Sequence, residues 1–209
     1  RKLSPDAAII ASGARPIIPE IPGMNGANVI QAWELLKGKK GVGRKIVILG
    51  GNALGLETAI YLATIGTLPP ETLHFLMTNR AESMETLNSL LNRGIKDVTV
   101  VEMTKKAGKD IGLTTKWTIM AELKRLGVTI LTETKVVGIT QDGVQTEMKD
   151  GPEFITADTV VIAAGSRSEN GLASLLENVI PEIHVVGDAK MPRNALAAIR
   201  EGFEAGLQV

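Results

Sequence analysis

Lys45-Ile-Val-Ile-Leu-Gly-Gly-Asn-Ala-Leu-Gly-Leu-Glu57 is the stretch on which the fold turns. Ile46 to Leu49 form a short, wholly apolar run, the pattern of a strand buried on both faces of a parallel sheet. Gly50 to Gly55 follow as a glycine-containing turn, and Leu56 to Ile65 read as a helix ended by Gly66. Such a unit points unpaired helix N–H groups and a partial positive charge at the end of the strand, where they suit a phosphate. A dinucleotide-binding turn of this kind needs three small positions. The first makes the tight turn, the second admits the pyrophosphate, and the third lets the helix pack on the strand. Gly50 and Gly55 fill the first and third, while the second is Asn52. Asparagine tolerates positive φ, but its side chain is expected to take space that a pyrophosphate would use.

Working outward, residues 67–94 are polar and helical in pattern, with Leu73, Leu76, Leu87, Leu90 and Leu91 as candidate anchors. Pro69 and Pro70 suit the start of that segment and Gly94 its end. Asp97-Val-Thr-Val-Val-Glu102 reads as a second strand ending in an acid. Thr115 to Leu126 reads as a helix carrying Trp117, Met120 and Leu123 and closed by Gly127, and Val128 to Leu131 as a third strand. Glu102 sits where a carboxylate accepts bonds from the adenosine ribose hydroxyls, which favours NADH and repels the 2′-phosphate of NADPH. Gly55 and Glu102 are 47 positions apart, against about 20 in the usual spacing. An insertion at 67–94 accounts for the excess. A strand–turn–helix with no ligand and a solvated Glu102 is the plainer alternative.

An internal echo frames this region. Asp6-Ala-Ala-Ile-Ile-Ala-Ser-Gly-Ala-Arg-Pro16 matches Asp158-Thr-Val-Val-Ile-Ala-Ala-Gly-Ser-Arg-Ser168 at five of eleven positions. Both read as buried strands ending in a glycine turn, and such self-similarity marks duplication unless two buried strands are alike by chance. Lys135–Thr140 and Val144–Met148 flank Gln-Asp-Gly, and Asp150-Gly151 follows, so a small antiparallel meander precedes the second echo. Glu182–Val186, Gly187-Asp188 and a last helix from about 193 to 207 close the chain. Leu196, Ile199 and Phe203 are spaced to bury one face of that helix. The alternation of strands and helices indicates a doubly wound α/β domain, a Rossmann-like parallel sheet with a small antiparallel β-meander.

Composition narrows the function. Lys+Arg and Asp+Glu are both 23, aromatics are 3% and cysteine is absent. A balanced, aromatic-poor chain is not expected to bind nucleic acid or a membrane surface. Without cysteine it holds no disulfide, thiolate metal site or cysteine-ligated cluster, and His74 and His184 are too few for a His-rich metal site. No apolar run nears the roughly 18 residues of a membrane span. Arg1 begins no charged-then-apolar leader, so a cytoplasmic protein is expected.

With these pieces placed, the chain resembles the two-dinucleotide-binding-domain flavoproteins of the glutathione reductase type. Within them it is most similar to the C-terminal FAD/NAD portion of the NADH:flavin oxidoreductases related to 2,4-dienoyl-CoA reductase and 2-enoate reductase. The carrying stretches are Ala8–Pro16 with Ile21-Pro-Gly23, Lys45–Gly51 with Gly55-Leu-Glu57, Val98–Met103, Ala157–Gly165 and Val185–Ala189. The long 67–94 segment and the ending Ala198–Gly206 point to the subgroup. The resemblance implies that residues 1–30 and 169–209 are trailing pieces of an FAD domain, with an NAD domain, residues 31–168, inserted between them. It implies cofactor contacts from Gly50, Gly51, Asn52, Ala53, Leu54, Gly55, Glu102 and Met103 on the NADH side. Ser12-Gly13 and Ala164-Gly165 match turns that pass close to the cofactors. Gly187 and Asp188 match a Gly-Asp whose acid bonds the FAD ribityl chain, though alone they read equally as a turn with an N-capping acid.

By the echo, Asp158 lies 108 positions after Gly50, which puts the FAD pyrophosphate turn roughly 100 residues before Arg1. This chain alone is therefore not expected to hold FAD stably or to be active. The implied role is the electron-input module of an enoate or 2,4-dienoyl-CoA reductase-like enzyme, passing hydride from NAD(P)H to FAD. An FMN barrel, an iron–sulfur cluster and the N-terminal FAD segment are expected in the rest of the parent, and the assembly is a possible oligomer. No residue of this chain is expected to act as a catalyst or to bind a metal. Two alternatives stand: a non-catalytic ADP/AMP-binding or scaffolding domain, and NADPH preference through Lys105 and Lys106.

Overall fold

The computed structural model describes residues 4–209, so the first three positions of the 1–30 segment lie outside the described residues. In chain order the strands are β1 (Ala7–Ile10), β2 (Ala14–Pro16), β3 (Val29–Gln31), β4 (Lys45–Leu49), β5 (Asp97–Val101), β6 (Thr129–Leu131), β7 (Lys135–Thr140), β8 (Gly143–Met148), β9 (Gly151–Thr156), β10 (Thr159–Ile162), β11 (Ser166–Ser168) and β12 (Glu182–Val185). The helices are α1 (Ala32–Leu36), α2 (Ala53–Ala63), α3 (Pro70–Thr78), α4 (Met84–Asn92), α5 (Leu113–Arg125), α6 (Gly171–Leu176) and α7 (Ala195–Gly206), with a 3₁₀ turn at Gly187–Ala189. Two compact units result, one from residues 1–17 with 165–209 and one from 18–164. The divisions fall at 17/18 and 164/165, against 30/31 and 168/169 from the sequence. Residues 18–30 stay with the larger unit because β3 pairs in register with β10, Val29 opposite Val160.

The larger unit is built on a five-stranded parallel sheet in the order β3-β10-β4-β5-β6. Alternate residues of its strands feed two cores. Ile46, Ile48, Val98, Val100 and Val161 pack with Leu56, Ala59 and Leu62 of α2 and Leu123 of α5. Val47, Leu49, Val101, Val160 and Ile162 pack with Val136, Ile139 and Val144 of the β7-β8-β9 meander. Helices thus cover one face and the meander covers the other. The second layer expected of a doubly wound sheet is β rather than α, because the hairpin signals at 141–143 and 149–151 keep that stretch antiparallel. Asp158 of the second echo fixes the start of β4, its Oδ2 accepting the N–H groups of Arg44 and Lys45 at 2.9 and 3.0 Å.

The 67–94 segment forms two helices, with Pro70 at the first helical position of α3 and Ser83 capping α4. Of its candidate anchors only Leu87 is buried, at 2% exposure. α2 begins at Ala53, three residues earlier than the apolar pattern suggests, because Asn52 caps it.

In the smaller unit β1 pairs with β12 in parallel, and β2 pairs with β11 antiparallel, with Arg15 opposite Arg167. Those two arginines are equivalent positions of the echo, so the tails of the two repeats pair with each other about a local two-fold. The helix α7 corrects an expectation. Leu196, Ile199 and Phe203 are 76%, 70% and 66% exposed. The turn at Gly187 instead meets Ala198 and Glu201 on another face of the helix, and Ala205 is the helix's buried residue. Among the described residues, no helix is long and apolar enough to cross a membrane.

Candidate functional site: the glycine turn and its carboxylates

The sheet order reverses between β10 and β4, and crevices form at such switch points beyond the carboxyl ends of the strands. The glycine turn lies there. Gly50 has φ +112°, and a Cβ on it would meet the Ala163 carbonyl oxygen at 2.3 Å; one on Gly55 would meet the Gly50 oxygen at 1.9 Å. These glycines let β10, β4 and α2 approach one another closely. Asn52 is committed to the protein: its Oδ1 accepts the Gly55 N–H at 2.9 Å and its Nδ2 donates to Ala163 O at 2.6 Å. The side chain expected to obstruct the turn is its helix cap.

Glu102, just past β5, reaches the turn despite the long spacing. α3 and α4 lie between α2 and β5 in sequence, and β4 and β5 are still direct neighbours. Its Oε2 accepts the Gly51 N–H and its Oε1 the Thr104 N–H, both at 2.8 Å. Burial pushes this carboxyl up, but the hydrogen bonds from Thr104 and Gly51 and the charge of Lys109 outweigh it and hold the group below its ordinary value. It is an anion at neutral pH. Glu133, at the non-glycine φ of +52°, turns the chain from β6 to β7 so that Thr134 N–H bonds Glu102 O at 3.1 Å.

Around this acid runs a cavity of about 430 Å³ lined by Glu20, Ile21, Leu49, Gly50, Asn52, Val101, Glu102, Met103, Thr104, Thr134, Lys135, Val136 and Ala164, with Pro19 at its edge. It gathers Gly50, Asn52, Glu102, Met103 and Ala164 of the sequence-derived set. A second cavity of about 250 Å³, on the Gly51 side, is lined by Asn52, Glu102, Thr104, Lys106, Lys109 and Asp110. Ala53 N–H, the first of α2, is bound by both oxygens of Asp110, at 3.1 and 3.0 Å. Leu54 follows in the first turn of α2. Lys105 lines neither cavity, whereas Lys106 does. A third cavity of about 110 Å³ carries Arg44, Arg93 and Lys96 near the amino end of β5, away from the turn.

Ser12, Gly13, Gly165, Gly187 and Asp188 lie in the smaller unit. Ser12-Gly13 follows β1 and Gly187-Asp188 follows β12, so both turns lie at the same end of one parallel pair, tied by Val186 N–H to Ile10 O at 3.0 Å. Ser12 Oγ donates to Glu169 O, and Ile17 N–H bonds Gly165 O at 2.9 Å. Gly187 N–H bonds Glu201 Oε2 at 2.8 Å and Asp188 Oδ1 accepts the Arg193 N–H at 3.2 Å. Arg193 pairs with Glu201 and holds its carboxyl below the ordinary range.

The sequence reading missed Asp110, Lys109, Thr104 and Lys135. One local signal points to the first two: Lys105-Lys-Ala-Gly-Lys-Asp110 is a charged, glycine-bearing loop directly after the strand that ends in Glu102.

The sheet order, the glycine turn and the meander together define the FAD/NAD(P)-binding Rossmann-like fold of the disulphide oxidoreductases. The family model of the pyridine nucleotide-disulphide oxidoreductases matches residues 1–202, and the chain belongs to that family. It is 43% identical over 200 residues to a metal reductase of Desulforamulus reducens, covering 96% of this chain and 30% of that protein. It is 32% identical to an NADH oxidase of Thermoanaerobacter brockii, covering 99% and 28%. Among solved structures, a 2-naphthoyl-CoA reductase in complex with 2-naphthoyl-CoA superposes with a TM-score of 0.79 at 26% identity, over 99% of this chain and 27% of that one. The chain therefore spans less than a third of the length of these relatives.

Proposed function

We propose that the chain is the electron-input module of a larger flavin-dependent oxidoreductase, binding NADH in the unit 18–164 and presenting it to FAD. The carrying observation is Glu102, a charged carboxylate held by two backbone N–H groups on the rim of a largely apolar cavity at the ends of β4 and β5. That lining fits an adenosine half: Leu49, Val101 and Val136 for the base, and Glu102 to accept from the ribose hydroxyls. The same charge disfavours a 2′-phosphate, so NADH is preferred over NADPH although Lys106 and Lys109 stand nearby. When bound, the nicotinamide supplies a hydride and the flavin accepts it. The chain's residues position these groups. The turns at Ser12-Gly13 and Gly187-Asp188, in the smaller unit, belong to the trailing pieces of the FAD domain, with Asp188 toward the ribityl chain.

The relatives carry different acceptors in their names: metal, bilirubin and cinnamate, as well as 2-naphthoyl-CoA. All of them align with almost the whole of this chain. That supports assigning acceptor choice to the remainder of the parent, where an FMN barrel and an iron–sulfur cluster belong in the enoate and 2,4-dienoyl-CoA reductase-like reading. A second reading, a non-catalytic ADP- or AMP-binding module, draws on one observation: Asp110 and Asn52 already occupy N–H groups of the turn. Titration of the full chain with NADH, NADPH and ADP decides. NADH binding at micromolar concentration, tighter than NADPH, is expected; ADP binding without NADH binding favours the second reading. No binding below millimolar concentration refutes both.

A further inference from the structure

We infer that Asp110 is a built-in competitor for the coenzyme's pyrophosphate, a residue that sets coenzyme affinity by holding the anion position at the head of α2. The inference rests on the NADH reading above and deepens it. A helix N-terminus attracts negative charge through its unpaired N–H groups and its dipole. Here α2 is 11 residues long and its first N–H, on Ala53, is taken by both Asp110 oxygens at 3.0 and 3.1 Å. Two anions cannot share that N–H group at hydrogen-bonding distance without strong repulsion.

The loop bearing Asp110 is anchored on both sides, by Ala107 and by Ile111, which packs against the core. Ala107 is buried in the core, Gly108 N–H donates to Gly51 O at 2.6 Å, and Lys116 Nζ donates to Ala107 O at 2.6 Å. Beyond Gly108, at φ +62°, Lys109 and Asp110 are exposed. Asp110 therefore leaves the helix by rotation of its own exposed side chain while Ala107 and Ile111 stay anchored. Lys106 and Lys109 line the same cavity and remain to face the incoming phosphates. One anion replaces another, and the coenzyme's net gain is the difference between them.

The experiment compares the full chain with Asp110→Asn and Asp110→Ala, titrated with inorganic pyrophosphate and with NADH, alongside thermal unfolding. Both variants are expected to bind pyrophosphate and NADH about 3- to 30-fold more tightly, the equivalent of the interaction removed. Asp110→Ala is also expected to unfold a few degrees lower, since the carboxylate on the Ala53 N–H is lost. Affinity and stability moving in opposite directions is the signature of a competitor. A residue that only stiffens the turn would weaken both, and unchanged or weaker binding overturns the inference while leaving the NADH reading intact. Tighter pyrophosphate binding with no NADH binding in any form keeps the Asp110 assignment and refutes the coenzyme reading. No binding of either ligand to any form overturns both.

Discussion

Replacing Glu102 by glutamine removes one acceptor and one charge from the centre of the site. The carboxylate receives N–H groups from Gly51 and Thr104, each at 2.8 Å. Glutamine offers one oxygen and one NH₂, so one of those N–H groups must face another donor. A hydrogen bond to a charged group contributes about 1.5–3 kcal/mol; discounted for a partly buried carboxylate, the loss is about 2 kcal/mol. For a chain of this size that is a fall of about 4–8 °C in Tm. The pH dependence has a definite sign. The folded carboxyl is held below the ordinary value of 4.5, so its contribution is complete above that value and fades as pH falls through the lowered one. Urea denaturation of both proteins should show a gap at pH 7 that narrows below about pH 4.5. Equal stability at pH 7, or a gap that stays constant into acid, would refute the assignment of Glu102 as a charged staple of the turn.

Three further outcomes are expected. Gly55→Ala places a Cβ 1.9 Å from the Gly50 oxygen and must push α2 off β4; calorimetry should show a loss of several degrees in Tm, and NADH affinity should fall with it. Asn52→Ala loses the cap on Gly55 and the bond to Ala163, costing about 1–2 kcal/mol in denaturant titration. A stabilised variant would show that the amide is under strain. Glu102→Arg should reverse the coenzyme preference toward NADPH in a binding titration, and unchanged relative affinities would remove Glu102 from the ribose site.

The legible parts of the fold were those fixed by local chemistry. Ile46–Leu49 and Val98–Val101 announce buried parallel strands because they are short, rich in β-branched residues and without alternation. Asp142-Gly143 and Asp150-Gly151 mark the meander turns through glycines at φ +152° and +124°. Glu102 was found as the acid at a strand end, although α3 and α4 separate it from the turn in sequence. What stayed hidden depends on distant partners. Asp110 looks like any charged loop residue until the loop folds over Ala53. The capping role of Asn52 is hidden because spacing does not reveal that its amide bonds Ala163 and Gly55. The spacing of Leu196, Ile199 and Phe203 predicts a buried face of α7 that the structure leaves exposed, because periodicity does not tell which face a neighbour covers. β3 and α1 are too short to leave a periodic trace.

The paired tails of the echo have a consequence for how this chain could be rebuilt. Ile17 and Gly165 are hydrogen-bonded neighbours at 2.9 Å, and they are also the last and first residues of the smaller unit on either side of 18–164. The chain departs and returns through a single doorway. Joining Ile17 to Gly165 needs only a connection of roughly two to five residues, the length of an ordinary hairpin loop, and leaves the Arg15–Arg167 register untouched. The region 18–164 is therefore a cassette: it can be lifted out, or exchanged for the equivalent piece of a relative with a different coenzyme preference, without reordering a strand of its host.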